Sequence, residues 1–560
     1  MSGHDRQAVR QAAELAEQGR FEQALGLLQG FLREQPNDAE ALNDAGTILY
    51  CLHRGREAIE YFQKARSLCS GDMLTQVLFN LCEAYIAEHQ PEKAVGLLDE
   101  MADREILNVD ILNRIANCFV DKGSLGPAIE MLLYSLRLAP NQEILRPMIE
   151  IIRSKRVSIC LYAEQQRRLE GLRGYLEARY PLSVCTGGTM PAVPEGGHSR
   201  SISIFTGISR AFLDERHRDI PAVLVLDYED LNHPALERID WAGVRAVLVP
   251  SQSAAEQIRL RLGGFPSSVQ LLTMGPGVDA ETVVFAERRK GKRLAAVGPW
   301  TAHQNPMFLL HCMQKLHYLD ADMRLHLAGE FEDESVRAYV ESLIEAMGLE
   351  NVVFLDGVPR SWARWLKDKH YIVSASVDGR SMPSVLQGMA AGLRPVVHHF
   401  PGVCEYVEKE FVFVLAEDFC RQILEGAYEP MRYRTWVLDR FSPIQAYLPL
   451  VRILSELERS RLFVSSGAGS GSPMPGSVQA AASRPLEPAV SVSSPISDRL
   501  QPSEPAAAGS QPAVSASIEE LAHRALEAAQ RLKNSGKSAS SEETEAVCSC
   551  SGRSPSAAPF

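Results

Sequence analysis

Ser376-Val377-Asp378-Gly379-Arg380-Ser381-Met382-Pro383-Ser384-Val385-Leu386-Gln387-Gly388-Met389-Ala390-Ala391-Gly392-Leu393-Arg394-Pro395-Val396-Val397 decides the fold of this chain. An apolar run at 371–374 precedes it and another, 395–398, closes it; both read as buried strands. Upstream, 293–298 reads as a strand entering a turn, and Asn305-Pro306 opens a helix through Leu316, with proline in its favoured first turn. Strands at 323–329 and 352–355 follow, with a helix at 335–348 between them. Further upstream, strands are expected at 155–162, 182–185, 201–205, 222–226, 246–249 and 269–272, with helices at 165–180 and 254–262. Buried strands alternating with helices imply parallel, doubly wound sheets. Residues 155–460 therefore read as two α/β halves.

Composition bounds the rest. The chain has 560 residues, 45% hydrophobic and 23% charged, with a net charge of −12. That balance is globular, suits about three domains, and argues against a dominant nucleic-acid surface. There is no apolar run long enough for a transmembrane span and no apolar segment of a secretory signal near the start. A cytoplasmic, bacterial protein is the expectation. The 11 cysteines are scattered, mostly in apolar segments, and read as small buried hydrophobes.

Residues 1–150 carry a repeat. Ala24, Ala58, Ala94 and Ala128 each precede an apolar pair, at spacings of 34, 36 and 34 residues. Leu15, Leu49, Tyr85 and Phe119 recur in step, as do the small residues Ala12, Gly46, Cys82 and Ala116. This period resembles the tetratricopeptide (TPR) repeat, implying about four helix pairs that bury their apolar faces only by stacking into an α-solenoid. Such an array offers a groove for a protein partner, or serves as a structural cap.

The opening stretch resembles the nucleotide-sugar motif of GT-B glycosyltransferases of the family 4, or group 1, type. In that family a serine ends a strand, an acidic residue and glycine follow, and a helical glutamate precedes Ala-Met-Ala-x-Gly-x-Pro-Val. Residues 249–251 and 277–279 resemble the family's hinge, and 428–457 its C-terminal helices that cross back over the hinge. The resemblance implies two Rossmann-like halves, 155–285 and 286–462. It also implies a nucleotide-sugar donor bound mostly by the second half, at the carboxyl ends of parallel strands.

Cleaving a sugar–diphosphate bond develops phosphate charge that fixed cations and helix N-termini stabilise. The family supplies an arginine and a lysine after the first strand of the second half. Here Pro299 and Gln304 stand in those places. Asp378 matches the first of the family's two glutamates, although its spacing to the second is one residue longer, and Gln387 replaces that second glutamate. Gln387 still hydrogen-bonds a hydroxyl, without a charge to assist it. The donor set implied is Gly298, His303, Gln304, Gly329, Ser376, Gly379, Arg380, Met382 and Gln387. Catalytic candidates are Asp378, Asp227 and His233, the last two after the strand at 222–226. Gly207 and Glu229 are expected on the acceptor side, Gly207 by presenting backbone N–H groups.

This chemistry needs no metal or other cofactor, so Asp320-Ala321-Asp322, the metal motif of a different glycosyltransferase fold, reads as a surface loop. Two readings stay open. One is a glycosyltransferase acting on a saccharide, lipid or protein hydroxyl. The other is a catalytically degenerate module used as a scaffold. Positive charge in the cleft, from Arg380, His303 or Arg394, separates them; a cleft plugged by Trp300 points to the scaffold. Residues 463–560 are rich in Ser, Pro and Ala and are expected to be disordered, except for a short amphipathic helix near 517–534 capped by Ser517 and Glu520.

Overall fold

A computed structural model describes residues 5–163, 171–186, 200–216, 218–280 and 283–466. The expected tail helix, and residues 165–170 of the expected helix 165–180, lie outside them. The chain divides into two units that meet at Ile152–Arg153.

The first unit is helical: α1 (Asp5–Glu17), α2 (Phe21–Glu34), α3 (Ala39–Cys51), α4 (Gly55–Arg66), α5 (Gly71–Ala87), α6 (Pro91–Val95), α7 (Leu98–Asp103), α8 (Val109–Asp121), α9 (Leu125–Leu138) and α10 (Leu145–Ser154). Short connections pair α1 with α2, α3 with α4 and α8 with α9. The recurring alanines explain the close packing. Ala24, Ala58, Ala94 and Ala128 are each completely buried. Gly46 serves the same end, since a Cβ there would stand 2.6 Å from the ring of Phe62. Ion pairs tie successive pairs together: Arg66 to Glu100 (2.6 Å), Arg114 to Glu83 (2.7 Å) and Lys122 to Glu92 (2.6 Å).

The second unit holds two parallel six-stranded sheets. The first comprises β1 (Ser158–Ala163), β2 (Leu182–Thr186), β3 (Ser201–Thr206), β4 (Ala222–Val225), β5 (Val244–Val249) and β6 (Gln270–Thr273), with helices α11 (Leu172–Glu177) and α12 (Gln252–Leu262). Its order is β2-β1-β3-β4-β5-β6. β3 is buried along its whole length, whereas β2 and β6 at the edges are not. The central strands β4 and β5 accordingly read as mostly apolar runs, while β3 alternates serine with isoleucine.

The second sheet comprises β7 (Arg293–Val297), β8 (Arg324–Ala328), β9 (Val353–Gly357), β10 (Tyr371–Ser374), β11 (Arg394–His398) and β12 (Val412–Phe413), ordered β12-β11-β10-β7-β8-β9. Helices α13 (Pro306–Leu319), α14 (Glu334–Ala346), α15 (Trp362–Leu366), α16 (Met382–Ala390), α17 (Ala416–Glu425) and α18 (Pro430–Phe441) belong to this half. One face packs on α13, α14 and α17, the other on α16 and α18. The last helix, α19 (Pro443–Ser466), returns to the first sheet, where Tyr447, Leu450 and Leu454 pack with Leu161, Ile204 and Leu248. Arg156 and Glu458 fix it there through a 2.6 Å ion pair in the buried interior.

Candidate functional site

In the second sheet the chain runs outward from β7 to β9, then returns through β10 to the other side. The loops after β7 and β10 diverge at that switch point, which is where open parallel sheets bind ligands. The two loops are joined there. The His303 carbonyl accepts from the Val377 N–H (3.0 Å) and from the Ser376 hydroxyl (3.3 Å). The Ser374 and Ser381 hydroxyls, 2.7 Å apart, close the base of the β10 loop. Gly298 and Gly329 let the β7 and β8 loops touch: a Cβ on Gly329 would lie 3.1 Å from the Gly298 Cα.

Asp378 caps the single turn Gly379–Ser381 by accepting from the Arg380 N–H (3.1 Å). Its other oxygen lies 3.0 Å from Arg380 Nε. Arg380 also reaches across to the first half, where Nη1 lies 3.9 Å from Glu229. Three of the expected site residues, Asp378, Arg380 and Glu229, thus form one charged cluster between the halves, each side chain 20–29% exposed. Gln387 on α16 is exposed, Gln304 is 5% exposed, and Met382 is in the apolar core. Met382 therefore helps anchor α16 from the interior rather than offering a polar contact.

The facing loop follows β4. Asp230 accepts from Asp227 N–H (2.9 Å) and Ile208 N–H (3.2 Å), and Asp227 accepts from Glu229 N–H (2.7 Å). His233 caps the next short helix, its Nδ1 accepting from Ala235 N–H (3.1 Å). Asp227 and His233 thus shape the loop that carries Glu229. The expectation of open N–H groups at Gly207 is corrected. Gly207 N–H is bonded to the Val225 carbonyl (2.7 Å) and Ile208 N–H to Asp230, so both are spent inside the protein.

Sequence reading also offered Arg394 and Trp300; strand direction removes the first from the cleft and burial the second. Arg394 opens β11, in register with Tyr371 at the start of β10, so it lies at the end of the sheet away from the binding loops. Trp300 is 2% exposed in the second half's own core and donates from Nε1 to the Ala328 carbonyl (3.0 Å). Asp320 and Asp322 both grip Lys292, at 2.9 and 3.0 Å. Among the described residues no group of His, Cys, Asp or Glu is arranged to hold a metal, and no helix is long and apolar enough to cross a membrane.

Sequence reasoning missed how the halves meet. The Tyr228 hydroxyl lies 3.0 Å from Ser251 Oγ and 3.1 Å from the Tyr406 hydroxyl, which donates to the Pro250 carbonyl (2.8 Å). Burial pushes both phenols upward, Tyr406 strongly, so both stay protonated as donors. Beside them Glu405, from the second half, accepts from the first N–H groups of α12 in the first half: Gln252 (2.6 Å) and Ser253 (3.0 Å). A carboxylate there satisfies orphan donors and favours the positive helix end. The one local signal was the glycine turn at Gly402, whose Cβ would lie 2.7 Å from Ser253.

Residues 291–426 match the family described as Glycosyl transferases group 1. That match lies within the second half, and the paired six-stranded sheets fit a GT-B fold. No curated protein sequence matches the chain. Among solved structures, TarM aligns at 16% identity and a TM-score of 0.39, over 46% of this chain and 55% of that one, so the match spans about half of TarM. HepE from Anabaena, solved with UDP and glucose, aligns at 13% identity and a TM-score of 0.41, over 54% of this chain and 100% of its own. A mutant Thermobaculum terrenum O-GlcNAc transferase aligns at 12% identity and a TM-score of 0.37, over 83% of this chain and 100% of its own.

Proposed function

We propose that the second unit is a glycosyltransferase that moves a sugar from a nucleotide-sugar donor to a hydroxyl of a saccharide, lipid or protein. The observation that carries this reading is Arg380, a cation in the cleft at the carboxyl ends of the strands, between Asp378 and Glu229. In the reaction the bond from the anomeric carbon to the diphosphate oxygen breaks, a bond to the acceptor oxygen forms, and the acceptor hydroxyl's proton passes to the departing diphosphate. Negative charge grows on the diphosphate as it leaves. Arg380 answers that charge in place of the family's two cations, whose positions hold Pro299 and Gln304. Gly298, Gly329, Ser376 and Gly379 let the donor approach the backbone, and Gln387 and His303 border the same loops. Asp378 stands nearest the reacting carbon. Glu229 receives the acceptor, and Asp227 and His233 hold its loop in shape. No metal is needed for this chemistry. The helical first unit, with its 34-residue period and buried alanines, acts as a TPR array that holds the acceptor protein or an assembly partner.

A second reading has its own support. Arg380 is already engaged by two carboxylates, and neither family cation is present. A degenerate module that binds partners without transferring sugar fits those facts. A thermal-shift screen of the full chain against UDP, GDP, ADP, CMP and their sugar conjugates separates the two. A ligand at about 100 times its Kd adds roughly 2.7 kcal/mol. A shift with one nucleotide that disappears in Arg380→Ala, and shrinks in Arg380→Lys, supports the transferase. A cooperative melt unmoved by any of them supports the scaffold.

A further inference from the structure

The Arg380 side chain has a carboxylate on each side and an aligned hydrogen bond to neither. Asp378 lies 3.0 Å from its Nε but off the N–H line, so Nε is buried and meets no acceptor among the described residues. From the first half, Glu229 lies 3.9 Å from Nη1, beyond hydrogen-bonding distance. A guanidinium presents a planar fork of N–H donors and grips carboxylates and phosphates best in a bidentate pair. Glu229 thus supplies Arg380 with charge but not with that grip. The backbones on both sides are fixed. Asp230, 4% exposed, accepts from the Asp227 and Ile208 N–H groups, and the Glu229 N–H is spent on Asp227. The Tyr228 hydroxyl is held by Ser251 and Tyr406. Across the cleft, Asp378 accepts from the Arg380 N–H, and the Ser374 and Ser381 hydroxyls meet beneath it. What can turn is the pair of side chains, and that of Glu229 is 29% exposed.

We propose that Glu229 is an internal competitor of the donor: its carboxylate holds the place on Arg380 that the donor diphosphate takes, and donor binding turns it away toward the acceptor side. This rests on the transferase reading above. Glu229 and a diphosphate cannot share that face of the guanidinium, because two anions brought so close repel each other. The exchange favours the diphosphate, whose oxygens can take the bidentate geometry that Glu229 lacks. It also sets an order. A carboxylate engaged on Arg380 is not presented to an acceptor hydroxyl, so the donor binds first and the acceptor follows.

Calorimetric titration of the full chain with UDP, GDP and ADP, and with the matching nucleosides, tests this. Glu229→Gln keeps the size of the side chain and removes its charge. Whichever diphosphate binds should bind this variant about threefold to fivefold more tightly than wild type, the worth of a partly exposed ion pair. Its nucleoside has no phosphate to compete for Arg380 and should bind both alike. In Arg380→Gln the diphosphate binds more weakly, and adding Glu229→Gln brings no gain. Thermal melts of the three variants show that folding is intact. Equal affinity of wild type and Glu229→Gln for the diphosphate overturns the competition and leaves the transferase reading standing. A gain shared by the nucleoside assigns the effect to a loosened cleft, and a gain that persists without Arg380 assigns it to general repulsion; either overturns the proposal. Absence of nucleotide binding in wild type and every variant overturns both the proposal and the transferase reading.

Discussion

Gly379 and Tyr228 meet across the two halves with no room for a side chain between them. A Cβ on Gly379 would stand 2.3 Å from Cε2 of the Tyr228 ring. The ring cannot yield easily, because its hydroxyl is held by Ser251 and Tyr406. Gly379→Ala must therefore push the halves apart or displace the β10 loop. Overpacking of this kind costs about 1–3 kcal/mol. Chemical denaturation should show that loss. Tyr228→Ala should make the same substitution nearly free, so the double mutant is less destabilised than the two singles added together. Strict additivity would mean that the two residues do not press on each other.

Glu405 gives the same interface a separable polar component. Its carboxylate accepts from Gln252 and Ser253 at the head of α12. Glu405→Ala should cost about 1–2 kcal/mol, the range of a lost helix cap with its charge. Glu405→Gln keeps an acceptor and should lose roughly half of that. Hydrogen exchange gives the sharper readout. The Gln252 and Ser253 amides should exchange faster in Glu405→Ala, while those of β3 in the sheet interior stay unchanged. Unaltered exchange at both amides would show that the cap does not persist in solution.

These contacts mark the limit of what one sequence reveals. β10 is buried along its length and appears as an apolar run that can be read locally, whereas β3, equally buried, alternates serine with isoleucine. β12 is two residues long and exists only by pairing with Val397 and His398, so nothing in its own sequence announces it. The loops of the candidate donor site were legible because Ser376, Asp378, Gly379 and Arg380 are neighbours in the chain. The pairing of Tyr228 with Tyr406 spans 178 residues, and that of Glu405 with Gln252 spans 153. Beyond the glycine turn at Gly402, no local pattern encodes either. Arg394 shows a further limit: composition and position suggested a cleft cation, but strand direction, a property of the folded sheet, put it at the opposite end.

In the helical unit, Asp44 on α3 carries a pH dependence. Burial, with help from nearby Glu40 and Asp38, pushes its carboxyl up to about 6 from the usual 3.8. A carboxyl that binds its proton more tightly in the folded state favours folding while protonated. Its contribution is therefore greatest below the unfolded value, falls as pH rises from about 4 to 6, and is absent above. Asp44→Asn removes the charge at every pH. At pH 7 it should stabilise the protein by about 1–2 kcal/mol, allowing for partial solvent screening of the shift. At pH 4 the gain should nearly vanish. Urea denaturation at both pH values checks this, and an equal effect at the two would assign the change to something other than the carboxylate.

The tie between β1 and the last helix should be the most costly single contact to break. Arg156 Nη2 lies 2.6 Å from Glu458 and 2.9 Å from the Tyr180 hydroxyl, with its guanidinium carbon 3.9 Å from the Tyr180 ring centre. Glu458 also accepts from the Val157 N–H (3.3 Å). Arg156 is 3% exposed at its side chain, so Glu458→Ala strands a positive charge in the interior. Breaking a buried pair from one side costs about 3–5 kcal/mol. Replacing both partners by apolar residues of similar size, Arg156→Met with Glu458→Leu, avoids the stranded charge and should cost far less. Denaturant midpoints of the single and double variants measure the difference. If the double variant is as unstable as Glu458→Ala, the stranded charge is not the cause, and the weight shifts to the Val157 and Tyr180 hydrogen bonds.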